Sequence, residues 1–443
     1  MGVNKNLYYF IAVLAMTVFN VILEAELGAE KIEVNKENNK KTDTLIEKLV
    51  IPQSFAQWKQ AFKELAMQND INPKVIKAAL EDLKPDYEVL KLDASQPEFT
   101  RNIWEYLDNA ISKQRLKKGS QLLKKYKKLF DEIEQKYGVQ RETIVAIWAM
   151  ESDFGRNYGS KSVIRSLATL AHHGKRSEFA QTELLEALKI IQDQKLQPDK
   201  LVGSWAGAMG QAQFMPSSYR KYAVDYNEDG KVDIWTSLPD VFASIANFLS
   251  ESGWRKDEDW GVEVRLPNDF DWKLNTSSYE LRFLQWKELE VNSINARPFP
   301  YIQRLASLFI PAGRFGPVFL VTHNFHIIKR YNNSSSYALG VAQLSRLLAG
   351  GEGIQTAWPR EDKALSYYDI EEIQLRLSLN GHDPGPNDGK MGAKTREAIR
   401  TWQLEQGLAG DGYANKKLLK ELREKAKIDL NNRRVMDSNN GRN

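Results

Sequence analysis

The sequence predicts a mainly α-helical protein that ends in a small, separate helical bundle. Apolar residues recur at the helical step over long stretches, as at Phe55, Trp58, Phe62 and Leu65, the period of a helix with one buried face. Gly, Pro and Asn interrupt these stretches. Composition shifts at Gly350-Gly351-Glu352-Gly353 and again at Trp358-Pro359, and beyond this Tyr368 to Glu424 has its own helical period and turn signals.

The 443 residues allow two or three domains and at least one sizeable core. With 42% hydrophobic and 27% charged residues, general disorder is excluded. The net charge of +4 is too small to argue for nucleic acid, although a mildly basic surface suits an anionic polymer. The chain has no cysteine. That excludes disulfides, a thiol nucleophile, cysteine-based zinc sites and a lipid-modified cysteine.

Taken in order, Leu7 to Leu23 is a nearly continuous apolar run preceded by Lys5. Its length lies between a signal-peptide core and a short membrane span, so residues 1–29 read as a signal peptide or an N-terminal membrane anchor. Export to the periplasm is expected, with inner-membrane association if the segment is retained. Residues 30–50 form a polar linker, and a folded region runs over 51–350. Phe55 to Leu83 is helical, with a new helix starting at Asn72-Pro73. Ile103 to Phe130 is helical again, with Leu116, Leu122, Leu123 and Tyr126 inward and a solvated face of lysines. The middle of the chain continues as helices. A linker over 351–366 leads to the bundle at 367–426, and 427–443 is a polar tail. A monomer is expected.

One carboxylate interrupts an apolar pattern. In Arg141 to Ser152, RETIVAIWAMES, Ile144, Ile147 and Trp148 define a face whose next step lands on Glu151. Asp153, Gly155, Asn157 and Gly159 follow, so the helix ends there. Burial and the negative end of the helix dipole both disfavour the ionised carboxyl. That suits a general acid. A buried glutamate paired with Arg156 or Arg165 fits the same pattern.

Several separated motifs resemble the lytic murein transglycosylase B family: IWAMESDFGRNYG, LATLAHH, GSWAGAMGQAQFMPSSYRKYAVDYNEDGKVDIW, IANFLSESGW and RYNNSSSYALGVAQL. With FTRNIWEYLDNAISKQRLKKG upstream, the resemblance covers most of the span from about Ile51 to Leu348. The resemblance implies a lysozyme-like helical catalytic domain with Glu151 as the catalytic residue. It also implies that Ser204 and Gln213 line the cleft, and that Tyr331, Asn332 and Tyr337 of the RYN-x-S-x-x-Y signature contact substrate. Lys175 and Arg176 form a basic step that could meet a peptide-stem carboxylate, or simply face solvent.

Asp225, Asn227, Asp229, Lys231 and Asp233 fall in D-x-N-x-D-G-x-x-D, the opening of an EF-hand loop. Thr236 stands where the bidentate Glu belongs, and Asp240 could complete a longer loop, as the family's EF-hand-like site does. The expected ion is structural Ca2+, set against an Asx-turn loop without metal. No cofactor is expected for catalysis. His172-His173 and His323-x-x-His326 lack a transition-metal pattern.

The segment from Tyr368 to about Leu422 resembles the peptidoglycan-binding domain family (type one), which implies noncatalytic wall binding. Ile373, Leu375 and Leu377 are expected inward on one helix, with Ala398, Ile399 and Trp402 on another. Thr395 is expected to start or cap the second.

An ordinary glycosidase needs two carboxylates, but Asp153 lies about 200° around the helix from Glu151. The family implies a one-carboxylate route to 1,6-anhydromuramyl ends. A hydrolytic muramidase on the same fold and a noncatalytic wall-binding protein are the alternatives.

Overall fold

The computed structural model describes residues 54–94, 102–174, 176–276 and 279–425. The apolar run, the polar linker, Lys175 and the tail lie outside them. The chain divides into two compact units. Among the described residues, one comprises 54–94, 113–256 and 327–350, and the other 102–112, 257–326 and 351–425.

The first unit is helical. Phe55–Gln68 opens on a capping box in which Ser54 accepts from the Gln57 amide and the Gln57 side chain reaches back, satisfying orphan amides at the helix start. Pro73–Leu80 begins on its proline, with Asn72 accepting from Lys74 N at 2.8 Å. The helical stretch expected from Ile103 to Phe130 is broken into Ile103–Ala110, Lys113–Lys125 and Lys127–Tyr137, the first of which belongs to the other unit. On Lys113–Lys125 the residues Leu116, Leu122 and Leu123 are half-buried, while Lys117, Lys124 and Lys125 are exposed.

Arg141–Ser152 is buried all round from Thr143 to Ser152, which is what an apolar helix without a polar face requires. It packs against Lys113–Lys125, Leu238–Glu251 and Ser335–Leu348. Phe242 is a hub, its ring centroid 4.6 Å from Phe130 and 4.8 Å from Trp148. A two-stranded antiparallel ribbon joins β1 (Lys161–Ser162) to β2 (Val202–Gly203).

The second unit departs from the expectation that helices continue. It holds a five-stranded antiparallel sheet of β3 (Gly261–Arg265), β4 (Leu281–Arg282), β5 (Asn292–Ser293), β6 (Leu305–Phe309) and β7 (Val318–Val321), in the order β4-β6-β7-β3-β5. Apolar runs of four or five residues cannot be told from helix by period alone. The β-branched content of GVEVR and VFLV decides for strand, and β7 is buried along its whole length. Phe283, Trp286, Val291 and Leu320 form the core beneath.

The C-terminal bundle, in the same unit, packs Ile370, Ile373 and Leu377 of Tyr367–Leu379 against Ala398, Ile399 and Trp402 of Ala393–Glu405. Leu418, Leu419 and Leu422 from the helical stretch 416–425 complete this core. Two expectations fail here. Leu375 is exposed, because it lies two positions from Ile373 and so about 200° around the helix. Thr395 does not cap: Gly392 is the N-cap, and the Thr395 hydroxyl donates to Pro384 O at 2.8 Å while accepting from Gln374 Nε2 at 3.2 Å.

Residues 351–366 are pinned to this unit. Gln355 N and Thr356 N donate to Glu263 at 2.7 and 2.8 Å. Arg360 grips Asp108 with two bonds of 2.7 and 2.9 Å. Among the described residues, no helix is long and apolar enough to cross a membrane.

Candidate active site

Glu151 lies in the last turn of Arg141–Ser152, and Asp153 ends the helix in the left-handed conformation at φ 51°. The side chain has no exposed surface, and burial pushes its pKa up to about 8. Neither carboxyl oxygen has a partner at full hydrogen-bond geometry. The Tyr337 hydroxyl is the polar group that acts on the carboxyl, and this looser contact pulls the pKa down against burial. The helix C-terminus works in the same direction as burial. The group is therefore a neutral acid at neutral pH, buried in the manner of a proton donor rather than of an ion pair.

Neither candidate arginine reaches it. Arg156 pairs with Asp153, and Arg165 donates to Lys84 O at 2.9 Å and Pro85 O at 3.0 Å. Asp153 is occupied by Arg156 and, at 3.9 Å, by Arg115. Among the described residues, no second carboxylate contributes to the charge felt by Glu151.

Two residues of the RYN signature meet at this acid. Tyr337, which starts the buried stretch of Ser335–Leu348, is fully buried. Tyr331 is buried too, and its pKa is raised by burial and then by the Glu151 charge. Its hydroxyl donates to Ala212 O at 2.7 Å, so it braces the wall rather than presenting a free hydroxyl. Asn332 is fully buried, and its carbonyl accepts from Ser334 N at 2.8 Å.

The loop from Gly203 to Met215 forms another wall. Ser204 Oγ accepts from Ala206 N at 3.2 Å and Ala208 N at 3.0 Å, which makes it a turn former. Gln213 sits at φ 53°, a left-handed conformation that is costly for a residue with a Cβ. Its Nε2 donates to Tyr158 O at 2.9 Å and Gly210 O at 2.6 Å, while its Oε1 is buried without a partner. Gln213 thus combines a strained backbone with a buried acceptor left unpaired. Gln211, which sequence reasoning passed over, accepts from Trp148 Nε1 at 2.8 Å and donates to Trp235 O at 2.7 Å. Trp148 stands one turn before Glu151. Gln211's position two residues before Gln213 was the available signal.

Arg176 lies apart from these contacts, 3.7 Å from Asp93. Both line a small pocket with Leu167, Leu170, Phe179 and Ala206. Lys175 is outside the described residues.

The EF-hand-like loop folds upon itself. Asp225 accepts from Asp229 N at 3.2 Å and Gly230 N at 2.8 Å, and Asn227 accepts from Asp229 N at 3.3 Å. Asp229 accepts from Lys231 N at 3.0 Å. Asp240, fully buried, accepts from Tyr226 N at 3.0 Å and Asp233 N at 2.9 Å. The donors are all oxygens, the set a hard cation takes. As arranged, the carboxylates serve the loop's own amides, and no three acids or histidines among the described residues cluster closely enough to hold a metal.

Comparison with known proteins places this geometry. The profile of the transglycosylase SLT domain family matches residues 54–346, and that of a peptidoglycan binding domain family matches 366–422. The membrane-bound lytic murein transglycosylase B of Escherichia coli (strain K12) is 29% identical over 335 residues, covering 74% of this chain and 88% of that protein. The crystal structure of SltB3 from Pseudomonas aeruginosa in complex with NAG-anhNAM-pentapeptide is similar at 46% identity and a TM-score of 0.80, over 84% of this chain and 100% of the other. Escherichia coli Slt35 in complex with calcium is similar at 30% identity and a TM-score of 0.56, over 66% and 92%.

Proposed function

The chain belongs to the transglycosylase SLT domain family and is a peptidoglycan lytic transglycosylase with a lysozyme-like fold, and we propose that Glu151 alone performs its acid and base steps. The observation that carries this reading is solitude: a fully buried, neutral carboxyl that, among the described residues, has no ion-pair partner and no second carboxylate acting on it. A two-carboxylate hydrolase needs a base to activate water. Here one group takes both roles in sequence.

Glu151 gives its proton to the glycosidic oxygen as the bond from C1 of muramic acid to that oxygen breaks. The substrate's own N-acetyl carbonyl oxygen supports the positive charge at C1. The Glu151 carboxylate then takes the proton of the 6-hydroxyl, whose oxygen bonds to C1. The ring closes as a 1,6-anhydromuramyl end, no water is consumed, and Glu151 ends protonated as it began. Because its carboxyl has no exposed surface, engaging the glycan requires the wall around it to open. Tyr337 and Tyr331 orient the acid, while the unpaired Gln213 Oε1 and Asn332 supply polar contacts to the sugar. Arg176, with Lys175, meets a stem-peptide carboxylate. Ser204 shapes the loop through its two accepted amide bonds and lines the cleft with its hydroxyl hydrogen still available to the sugar.

Glu151→Gln keeps the volume and removes the proton. Release of muropeptides from isolated sacculi falls about 100-fold or more, and the wild-type products weigh one water less than hydrolysis products. Retained activity in the variant, or hydrated products from the wild type, overturns the mechanism.

The C-terminal module holds the enzyme on the wall, and the N-terminal run exports the chain to the periplasm as a monomer. The loop from Asp225 to Asp240 is a structural calcium site, supported by its donor order and by the calcium complex of Slt35. Binding requires the carboxylates to turn from the loop amides. Calcium then raises Tm in the wild type and not in Asp229→Asn. An unchanged wild-type Tm leaves the loop as a set of Asx turns.

A further inference from the structure

Glu183, in the helix Ser177–Asp193, is a second buried carboxylate. It is 1% exposed, and burial pushes its pKa up to about 7. Its neighbour Glu186 is bound to Arg220 and Lys189 at 2.7 and 2.9 Å. Both carboxyl oxygens of Glu183 go to one residue: Oε2 accepts from Ser217 N at 2.9 Å and Oε1 from Ser217 Oγ at 2.7 Å.

Ser217 stands at the start of the short helix Pro216–Tyr222. That start is where the loop carrying Gln213 is anchored. Four residues before Ser217, the backbone is strained at Gln213 (φ 53°). The preceding carbonyl, Ala212 O, receives the Tyr331 hydroxyl, and the Phe214 ring lies 5.7 Å from that of Tyr331. Tyr331 in turn is within reach of the Glu151 charge. A loop with a strained residue holds its shape only if both ends are fixed. Both oxygens of one carboxyl group on the amide and hydroxyl of one residue make a rigid, two-point clasp.

We propose that Glu183 is a positioning residue for the reaction: by clasping Ser217 it holds the Ala212–Gln213 wall in register with Tyr331 and Glu151. The proposal rests on Glu151 being the acid. A buried carboxylate with no cation partner costs stability relative to an apolar side chain, and its retention is explained by what it positions.

Glu183→Leu keeps roughly the volume and removes both acceptors, leaving the Ser217 N–H and hydroxyl without this partner. Misplacement of a site by about 1 Å costs on the order of 100-fold in rate. The expected result is a kcat on isolated glycan strands lowered about 10- to 100-fold, with KM and sacculus binding near wild type. Ser217→Ala, which keeps only the amide donor, falls between; Ser217→Thr, which keeps both donors, restores most of kcat. A folded Glu183→Leu with wild-type kcat overturns the proposal, as does equal loss in Ser217→Ala and Ser217→Thr. If Glu183→Leu shows no cooperative thermal transition, the Ser217 pair decides by the same criterion. Activity in Glu151→Gln sinks the acid assignment instead, whatever Glu183 does.

Discussion

Tyr337 and burial pull Glu151 in opposite directions, and burial is the larger effect. A general acid works while protonated, so activity is lost as pH rises through about 8. Tyr337→Phe removes the one group that lowers this pKa. The alkaline limb of kcat against pH then moves upward by about one unit or less, and a limb that stays or moves down contradicts the contact. The same proton links pH to stability. The folded chain holds it from the ordinary 4.5 up to about 8, so the associated stabilisation is full below 4.5 and is lost as pH rises through about 8. Glu151→Gln has no such proton, and its Tm falls less than that of the wild type between pH 5 and pH 8 (round values on either side of the window, about where the carboxyl titrates). Parallel curves for the two proteins rule this out.

At the scale of elements, the site depends on close backbone approach. Gly159 has φ 87°, and a Cβ there would lie 2.1 Å from Gly203 O. Because the obstacle is backbone, neither side can yield cheaply. Gly159→Ala is expected to cost about 2–4 kcal/mol, read as a lower denaturant midpoint with unchanged slope. A loss under about 0.5 kcal/mol would show that the β1–β2 ribbon tolerates separation. Much of this region was legible in the sequence. The end of Arg141–Ser152 was announced by Asp153 and Gly155, and the carboxylate on its apolar face by the spacing from Ile147 and Trp148. The strands were not legible by period, since VFLV is too short to show one, and only its β-branched content pointed to strand. Leu375 misled because hydrophobicity alone does not say which side of a helix a residue takes.

For the whole chain, the segment after Gly350 is part of the second unit's structure. Glu263 and Asn275, 6% and 5% exposed, take partners from it: the amides of Gln355 and Thr356, and Gly410 O at 2.9 Å from Asn275 Nδ2. Ending the chain at Gly350 strips these buried groups, each at about 1–3 kcal/mol. The thermal transition of the sheet region is expected to fall by several degrees in calorimetry. An unchanged transition would mean that the bundle is an independent appendage. The wall-binding resemblance could not reveal this dependence, because the partners are more than a hundred residues apart for Asn275 and Gly410.

The sequence by itself determined the helix that carries Glu151, where that helix stops, the helical bundle at the C-terminus and the family to which the motifs point. These depend on local period, capping and turn chemistry, which neighbouring residues settle. Only the tertiary structure decided that Arg156 and Arg165 turn elsewhere, that Tyr331 and Tyr337 converge on one acid, and that Ser204 accepts from two amides of its own turn. Pairing across the fold depends on where distant side chains come to rest, and that information is spread over the whole packed unit rather than written in any one segment.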